Sequence, residues 1–298
     1  VAALSTANLA AMSEDQVAAL TTAQVTALTT AQIVALTEDQ VAAMGTAQLA
    51  AMTTAQLAKM ETDDIAAITT DQITALKTAQ MEALTTAQVV ALSEDQVATL
   101  TTAQLAALTT AQLAKMETDD IAAITTAQIT ALTTAQIAAL TTAQAVAISE
   151  DQVAVLKTAQ LAALTTANFV EMSTDQLAAI TTAQISALTT AQVSALTEDQ
   201  AVSLSEDQVA ALKTAQVAAL STANLAAMSE DQVAALTTAQ VTALTTAQIV
   251  ALTEDQVAAM GTAQLAALTT AQLAKMETDD IAAITTDQIT ALKTAQIE

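Results

Sequence analysis

The stretch LTTAQVTA at residues 20–27 is followed directly by LTTAQIVA at residues 28–35, and this eight-residue unit recurs along the whole chain. Written from the hydroxyl residue, the consensus of one octad is [T/S]-[T/E]-[A/D]-Q-[V/I/L]-A-A-[L/M]. Large apolar side chains occupy only positions five and eight, as in Val17 and Leu20. A fixed short period is typical of repeat architectures, and 298 residues hold about 37 such octads. We expect residues 1–298 to form a single continuous solenoid that is an excerpt of a longer chain.

Longer duplications lie on top of the octad. Residues 1–82 recur at 217–298 with two changes, an offset of 27 octads. Residues 57–76 recur at 113–132 with one change, an offset of seven octads. Both offsets are odd, so copying would exchange the roles of odd and even octads if those roles differed. The duplications therefore predict that all octads are structurally equivalent.

Each octad carries the signature of a helix start. In residues 20–25, Thr21 stands at the N-cap and Gln24 at the third helical position, which is the capping-box pattern. Leu20 and Val25 then form the hydrophobic staple that brackets the cap. Acidic variants such as SEDQ at residues 13–16 place carboxylates where the helix dipole favours them. The pattern predicts one very short helix in every octad.

Some octads lack a hydroxyl at position one. Because the next residue is Thr in each charged case, we predict that the cap slips there by one residue. We also expect position two and the glutamine at position four to lie outside or at corners. The charged exceptions at position one are Lys77, Lys157, Lys213, Lys293, Glu61, Glu117 and Glu277, and glycine stands there as Gly45 and Gly261.

The eight-residue period decides between fold classes. Two turns of an α-helix take about 7.2 residues, so an apolar stripe of period four would circle a long helix and leave no face to bury. A β-solenoid fits the Thr and Val content but not the paired alanines or the missing corner residues. Helices this short are unstable alone and need stacking. We therefore predict an all-α solenoid, a superhelix of very short helices with one helix per octad. The sequence does not determine the number of octads in each coil, for which we take three.

The composition excludes most chemistry. The chain has no His, Cys, Arg, Trp, Tyr or Pro, a single phenylalanine (Phe169), and a net charge of −24. Without imidazole or thiol groups, we predict no enzyme activity and no catalytic, cofactor-binding or metal-binding residues. The negative charge disfavours nucleic acid as a partner. Thr, Ser, Gln or Asp interrupts every apolar run, so we predict no membrane insertion.

Two features leave a binding role open. The sequence ETDD at residues 61–64, 117–120 and 277–280 could bind calcium weakly, or could be a solvated helix start beside a lysine such as Lys59. Repeated Thr-Thr pairs resemble the threonine arrays of ice-binding proteins, although Glu interrupts position two in several octads. The ten methionines and Phe169 occupy core positions and are expected to pack there.

Runs such as LTTAQIAAL at residues 132–140 resemble the octapeptide-repeat regions of very large bacterial surface or secreted proteins, which are often labelled adhesin-like or haem-utilisation. The likeness covers the whole chain. It implies an extracellular or cell-surface location in bacteria. We expect a structural rod or fibre segment that self-associates into fibres or bundles and needs no cofactor. The alternative is a repetitive binding surface, an adhesin module for calcium, ice or a partner.

Overall fold

The computed structural model describes residues 3–297, and within that range the regular structure is α-helical throughout, without strands. One helix of four to six residues occupies each octad, so the prediction of an all-α fold with one very short helix per repeat is confirmed. None of the described helices is long and apolar enough to span a membrane.

The chain divides into two compact units, Val1–Ile148 and Ser149–Glu298. The helices of the first unit are α1 (Thr6–Ala10), α2 (Glu14–Ala18), α3 (Thr22–Thr26), α4 (Thr30–Ile33), α5 (Glu38–Ala43), α6 (Thr46–Ala51), α7 (Thr54–Leu57), α8 (Thr62–Ala67), α9 (Thr70–Thr74), α10 (Thr78–Ala83), α11 (Thr86–Val90), α12 (Glu94–Thr99), α13 (Thr102–Ala107), α14 (Thr110–Leu113), α15 (Thr118–Ala123), α16 (Thr126–Ile129), α17 (Thr134–Ala138) and α18 (Thr142–Ala147). Those of the second unit are α19 (Glu150–Val155), α20 (Thr158–Ala163), α21 (Thr166–Val170), α22 (Thr174–Ala178), α23 (Thr182–Ile185), α24 (Thr190–Ser194), α25 (Glu198–Val202), α26 (Glu206–Ala211), α27 (Thr214–Val217), α28 (Thr222–Ala227), α29 (Glu230–Ala234), α30 (Thr238–Ala243), α31 (Thr246–Val250), α32 (Glu254–Ala259), α33 (Thr262–Ala267), α34 (Thr270–Leu273), α35 (Thr278–Ala283), α36 (Thr286–Ala291) and α37 (Thr294–Ile297).

The ends of a typical helix follow from its caps. Thr101 has an extended backbone (φ −67°, ψ 153°), and its Oγ1 accepts a hydrogen bond from the Gln104 backbone N–H at 3.2 Å. In return Gln104 Oε1 accepts from the Thr101 N–H at 2.8 Å, which completes the predicted capping box. Leu108 returns to extended geometry (φ −60°, ψ 139°) and ends the helix. Among the described residues none has a positive φ, so these corners need no glycine.

The predicted slip of the cap at charged octads is wrong. Lys77 is itself the N-cap of α10, with no hydrogen bond to its side chain, and Glu61 is the N-cap of α8. The Lys77 N–H still donates to Gln80 Oε1 at 2.7 Å. This half of the capping box depends on position four alone, so it fixes the helix start whatever side chain stands at position one.

Stacking supplies the tertiary structure of each unit. Within each unit a helix packs against the helix three further along the chain, as α2 does against α5 and α25 against α28. This spacing confirms the expectation of three octads per coil. The two units are therefore solenoids in which a coil contacts the coils before and after it.

Positions five and eight form the core. Leu105 and Leu108 are 0% and 3% exposed, and Phe169 fills a position-five site without exposure. The alanines between them keep the helices thin, which lets successive coils approach closely. Only the outermost coils depart from this pattern, with Leu4 exposed at one end and Ile281, Ile289 and Ile297 exposed at the other.

Candidate functional site: the glutamine row and the acidic helix starts

The most regular polar feature is the glutamine row, which we define as the residues at position four of all octads. We expected these glutamines to lie outside or at corners. They do stand at the helix starts, but an outside location is wrong, because from Gln32 onward they are buried, apart from the half-exposed Gln296. Gln104 shows why. Its Nε2 donates to the backbone oxygens of Ile73 and Leu76, both at 2.8 Å, while its Oε1 holds the cap of its own helix. One amide therefore caps its helix and binds the preceding coil.

The same geometry recurs in both units. Gln88 donates to the Leu57 and Met60 oxygens at 2.8 Å each. Gln240 donates to Val209 and Leu212 at 2.9 and 2.7 Å. These acceptors lie 31 and 28 residues before the glutamine, at positions five and eight of the octad four places earlier. A buried amide needs such partners, since an unpaired one costs free energy.

Glutamines with no described coil before them behave differently. Asn8, Gln16 and Gln24 are exposed, although each of them accepts the N–H of its own cap. The first amide that reaches back is Gln32, whose Nε2 donates to the Leu4 oxygen at 2.7 Å. The burial of a position-four amide therefore depends on the coil that precedes it.

Three members of the glutamine row are aspartates, and all three belong to the ETDD segments. Asp64, Asp120 and Asp280 are 3–4% exposed, so the segments are only partly solvated helix starts. Each aspartate accepts the N–H of its own N-cap through Oδ2. The three distances are 3.2 Å from Glu61, 3.0 Å from Glu117 and 3.0 Å from Glu277.

Burial changes the acidity of two of these aspartates. Desolvation raises the pKa of Asp64 from 3.8 to about 6, against the lowering effect of its bond from the Glu61 N–H. The negative charges of Glu61, Glu38 and Asp63 add to the rise. The pKa of Asp120 is raised to about 6 as well, first by desolvation and then by its own acidic neighbours.

Stacked helix starts also form shallow acidic concavities in the second unit. In one, Glu254 and Asp255 of α32 lie beside Asp279 and Asp280 of α35 and its N-cap Glu277. A second concavity has Glu206 and Asp207 of α26 beside Asp231 of α29. Across residues 3–297, no three acidic groups are arranged to hold a metal ion. Weak calcium binding at the ETDD segments stays a prediction.

The position-two side chains form a regular arrangement in the fold that is not apparent from neighbouring octads in the sequence. Because stacking joins every third octad, one face of the first unit carries threonine at position two in each of its coils. These residues are exposed, and no acidic residue stands at the first four positions of their octads. We call this set the threonine face: Thr6, Thr30, Thr54, Thr78, Thr102 and Thr126.

A comparison with protein families accounts for the repeat. The family model described as ALTTAQ repeat matches the chain in twelve stretches that together cover most of its length, whereas no curated protein gives a significant match. The matched residues are 1–30, 18–46, 26–54, 41–78, 57–94, 73–102, 113–150, 153–190, 169–206, 204–238, 234–262 and 257–294.

Proposed function

We propose, from the premise that this chain belongs to the ALTTAQ repeat family, that it is a structural rod or fibre segment of a bacterial extracellular or cell-surface protein. The observation that supports this most is the glutamine row. In both units the amides at position four, such as Gln104 and Gln240, bond the preceding coil through the same atoms, and the aspartate octads are the exceptions. The structure can therefore be lengthened by octads without a new kind of contact, which is what a spacer requires.

The charge distribution supports the second part of the proposal, self-association into fibres or bundles. At neutral pH a net charge of −24 keeps copies apart. Cations or acid reduce this repulsion. We propose that copies then pack side by side, and that the acidic helix starts set the salt concentration at which they do so. No nucleic acid and no enzyme activity are part of this function.

The rod proposal is tested by changing the length. We would insert one coil, a copy of residues 101–124, after Ile124, and measure the maximum dimension by small-angle X-ray scattering and electron microscopy. A rod segment gains the same increment with each added coil. An unchanged dimension would contradict the proposal. Immunogold labelling of intact cells of the source bacterium tests the location, and labelling only after lysis would contradict a surface role.

A second candidate function, a repetitive binding surface, is favoured by the threonine face. Hydroxyl and methyl groups recur there once per coil without an acidic helix start between them, and Lys77 is the one charged N-cap among these octads. Such a face suits ice, a partner protein or another flat ligand.

The test of this second function compares two triple variants that add the same charge to different faces of the first unit. Thr54→Glu, Thr78→Glu and Thr102→Glu place three carboxylates on the threonine face. Thr22→Glu, Thr46→Glu and Thr142→Glu place them on a face that already carries acids. We expect only the first set to abolish thermal hysteresis or partner capture. Equal effects of the two sets would exclude a binding role for this face.

A further inference from the structure

We propose that Asp64 and Asp120 are pH-sensitive weak points of the first solenoid unit. At each of them, protonation of one buried carboxylate supplies the hydrogen-bond donor that glutamine supplies in the other octads. The proposal concerns the stability of the stack and does not depend on whether the chain serves as a rod or as a binding surface.

The contacts between coils carry the argument. In the next octad after Asp64, Gln72 Nε2 donates to the oxygens of Val41 at 3.1 Å and Met44 at 2.6 Å. The equivalent acceptors for Asp64 are the oxygens of Ile33 and Leu36. An ionised aspartate has no proton to donate. Among the described residues no side chain donates to either oxygen, so one link between coils is absent there.

Asp120 repeats this arrangement one segment later, because residues 113–132 duplicate residues 57–76. Its equivalent acceptors are Val89 and Leu92, and again no described side chain donates to them. The flanking octads retain their links, for example through Gln112 and Gln128. The absence therefore belongs to the aspartate and not to a general opening of the stack.

The surroundings oppose ionisation of these carboxyl groups. The charged residues at the start of α8, other than Asp64 itself, are all acidic, and so are those of α5, the helix of the preceding coil that packs against α8. Helix α11 of the following coil carries no charged residue. An ionised Asp64 therefore lies in a desolvated place beside like charges and carbonyl dipoles. The acidic groups on these elements are Glu61 and Asp63 beside α8 and Glu38 and Asp39 on α5, with Glu117, Asp119, Glu94 and Asp95 in the same places around Asp120.

The pH dependence follows from the direction of the shift. The folded-state pKa of both groups, about 6, lies above the ordinary value of 3.8. Between these values the folded chain binds more protons than the unfolded chain, so falling pH stabilises the fold. This stabilisation is absent above about pH 6 and is complete below the ordinary value. Acidification therefore stabilises the contact between coils at both Asp64 and Asp120.

The test compares two double variants of the full chain that lose the same charge. Asp64→Gln with Asp120→Gln restores the consensus donor, whereas Asp63→Asn with Asp119→Asn removes neighbouring exposed carboxylates. Hydrogen exchange with mass spectrometry would follow peptides spanning residues 52–68 and 117–127, each of which has a sequence that occurs once in the chain, between pH 7.5 and 5, corrected for intrinsic exchange. We expect the opening equilibrium of the original chain and of the control to fall on the order of tenfold per site over this range.

The glutamine variant should be protected already at pH 7.5 and show no such change. A second pair, Asp64→Asn with Asp120→Asn, should behave in the same way. Asn224 shows that this shorter amide can also bond the preceding coil, since its Nδ2 lies 2.9 Å from the Leu196 oxygen. The proposal is overturned if the protection of the original chain does not change with pH, or if the amide variants match the control.

Discussion

Residues 1–82 and 217–298 differ at two positions, yet the structure treats equivalent residues in opposite ways. Ile65 is completely buried, whereas Ile281, its copy, is 42% exposed. At the other end of the duplication Asn8 is exposed, whereas Asn224 is 2% exposed. The same octad is therefore core or surface according to its neighbours in the stack, and its own sequence does not decide.

The comparison also shows that the preceding and the following coil bury different positions of an octad. No described coil precedes the octad of Asn8. In this octad the amide of Asn8, at position four, is exposed, whereas Leu9, at position five, is buried. Ile281 has few residues after it, and it is the apolar position five that is exposed while Asp280 remains buried. The preceding coil covers position four, and the following coil covers position five.

The largest effect is expected from deletions that test whether octads are interchangeable. Removing residues 101–108 takes out one whole octad, so every later octad finds an equivalent place one step earlier. Removing residues 101–104 places an apolar corner where a cap is needed, and all contacts 24 to 31 residues apart fall out of register. We expect the short deletion to remove most of the helical circular dichroism and the long one to preserve it. Similar damage from both would mean that octads are not equivalent.

The duplication offers a matched pair for core packing. Ile73→Ala removes a fully buried side chain and should cost about 2–5 kcal/mol through lost burial and the remaining cavity. Ile289→Ala makes the same change in the copied octad, where the side chain is 43% exposed. We expect it to cost less than about 1 kcal/mol. Urea unfolding followed by circular dichroism measures both, and equal losses would show that the copied segment packs as the original does.

A second matched pair tests the amide. Gln240→Glu keeps the acceptor for the cap but turns a donor toward Val209 and Leu212 into a carboxylate, at a cost of about 1–3 kcal/mol at pH 7. Gln24 is exposed, with its Oε1 on the Thr21 N–H, so Gln24→Glu should change stability by less than about 0.5 kcal/mol. Thermal melts of both variants at pH 7 test this. A neutral Gln240→Glu would remove the glutamine row from the stabilising contacts.

The smallest effect is expected at position two. Thr102 is exposed, and glutamate already stands at this position in other octads, such as Glu94. Thr102→Glu should therefore change the free energy of unfolding by no more than about 0.5 kcal/mol. The same melts serve as the measurement, with Leu108→Ala as the buried comparison. A loss as large as that of Leu108→Ala would show that the assignment of outer positions is wrong.

Much of the fold could be predicted because its signals are local. The capping box and the apolar residues at positions five and eight each lie within one octad, and they predict helix starts and core correctly at residues such as Thr101 and Leu108. The cap at Lys77 was missed because the reciprocal bond from its N–H to Gln80 holds the start without a hydroxyl.

The second role of the glutamines was missed because their partners lie 28 and 31 residues away. A signal was nevertheless present. Glutamate completes a capping box as well as glutamine does, yet it never occupies position four in this sequence. Only a need for a donor distinguishes the two. The acidity of Asp64 could not be predicted for the same reason, since it arises from burial by a coil that is remote in sequence.

The glutamine row also favours an order of folding, from the N-terminus toward the C-terminus. The position-four amides for which the bonds are described donate toward residues nearer the N-terminus, so their acceptors already exist when the amide emerges from the ribosome. A growing chain can therefore bind each new coil to the finished part as soon as its glutamines appear. The position-five side chains, in contrast, are buried only by the coil that follows. The last coil of a growing chain therefore exposes its apolar position-five side chains until the next coil has formed. A chain that pauses during synthesis therefore exposes its uncovered position-five side chains at the growing end, until the next coil is made.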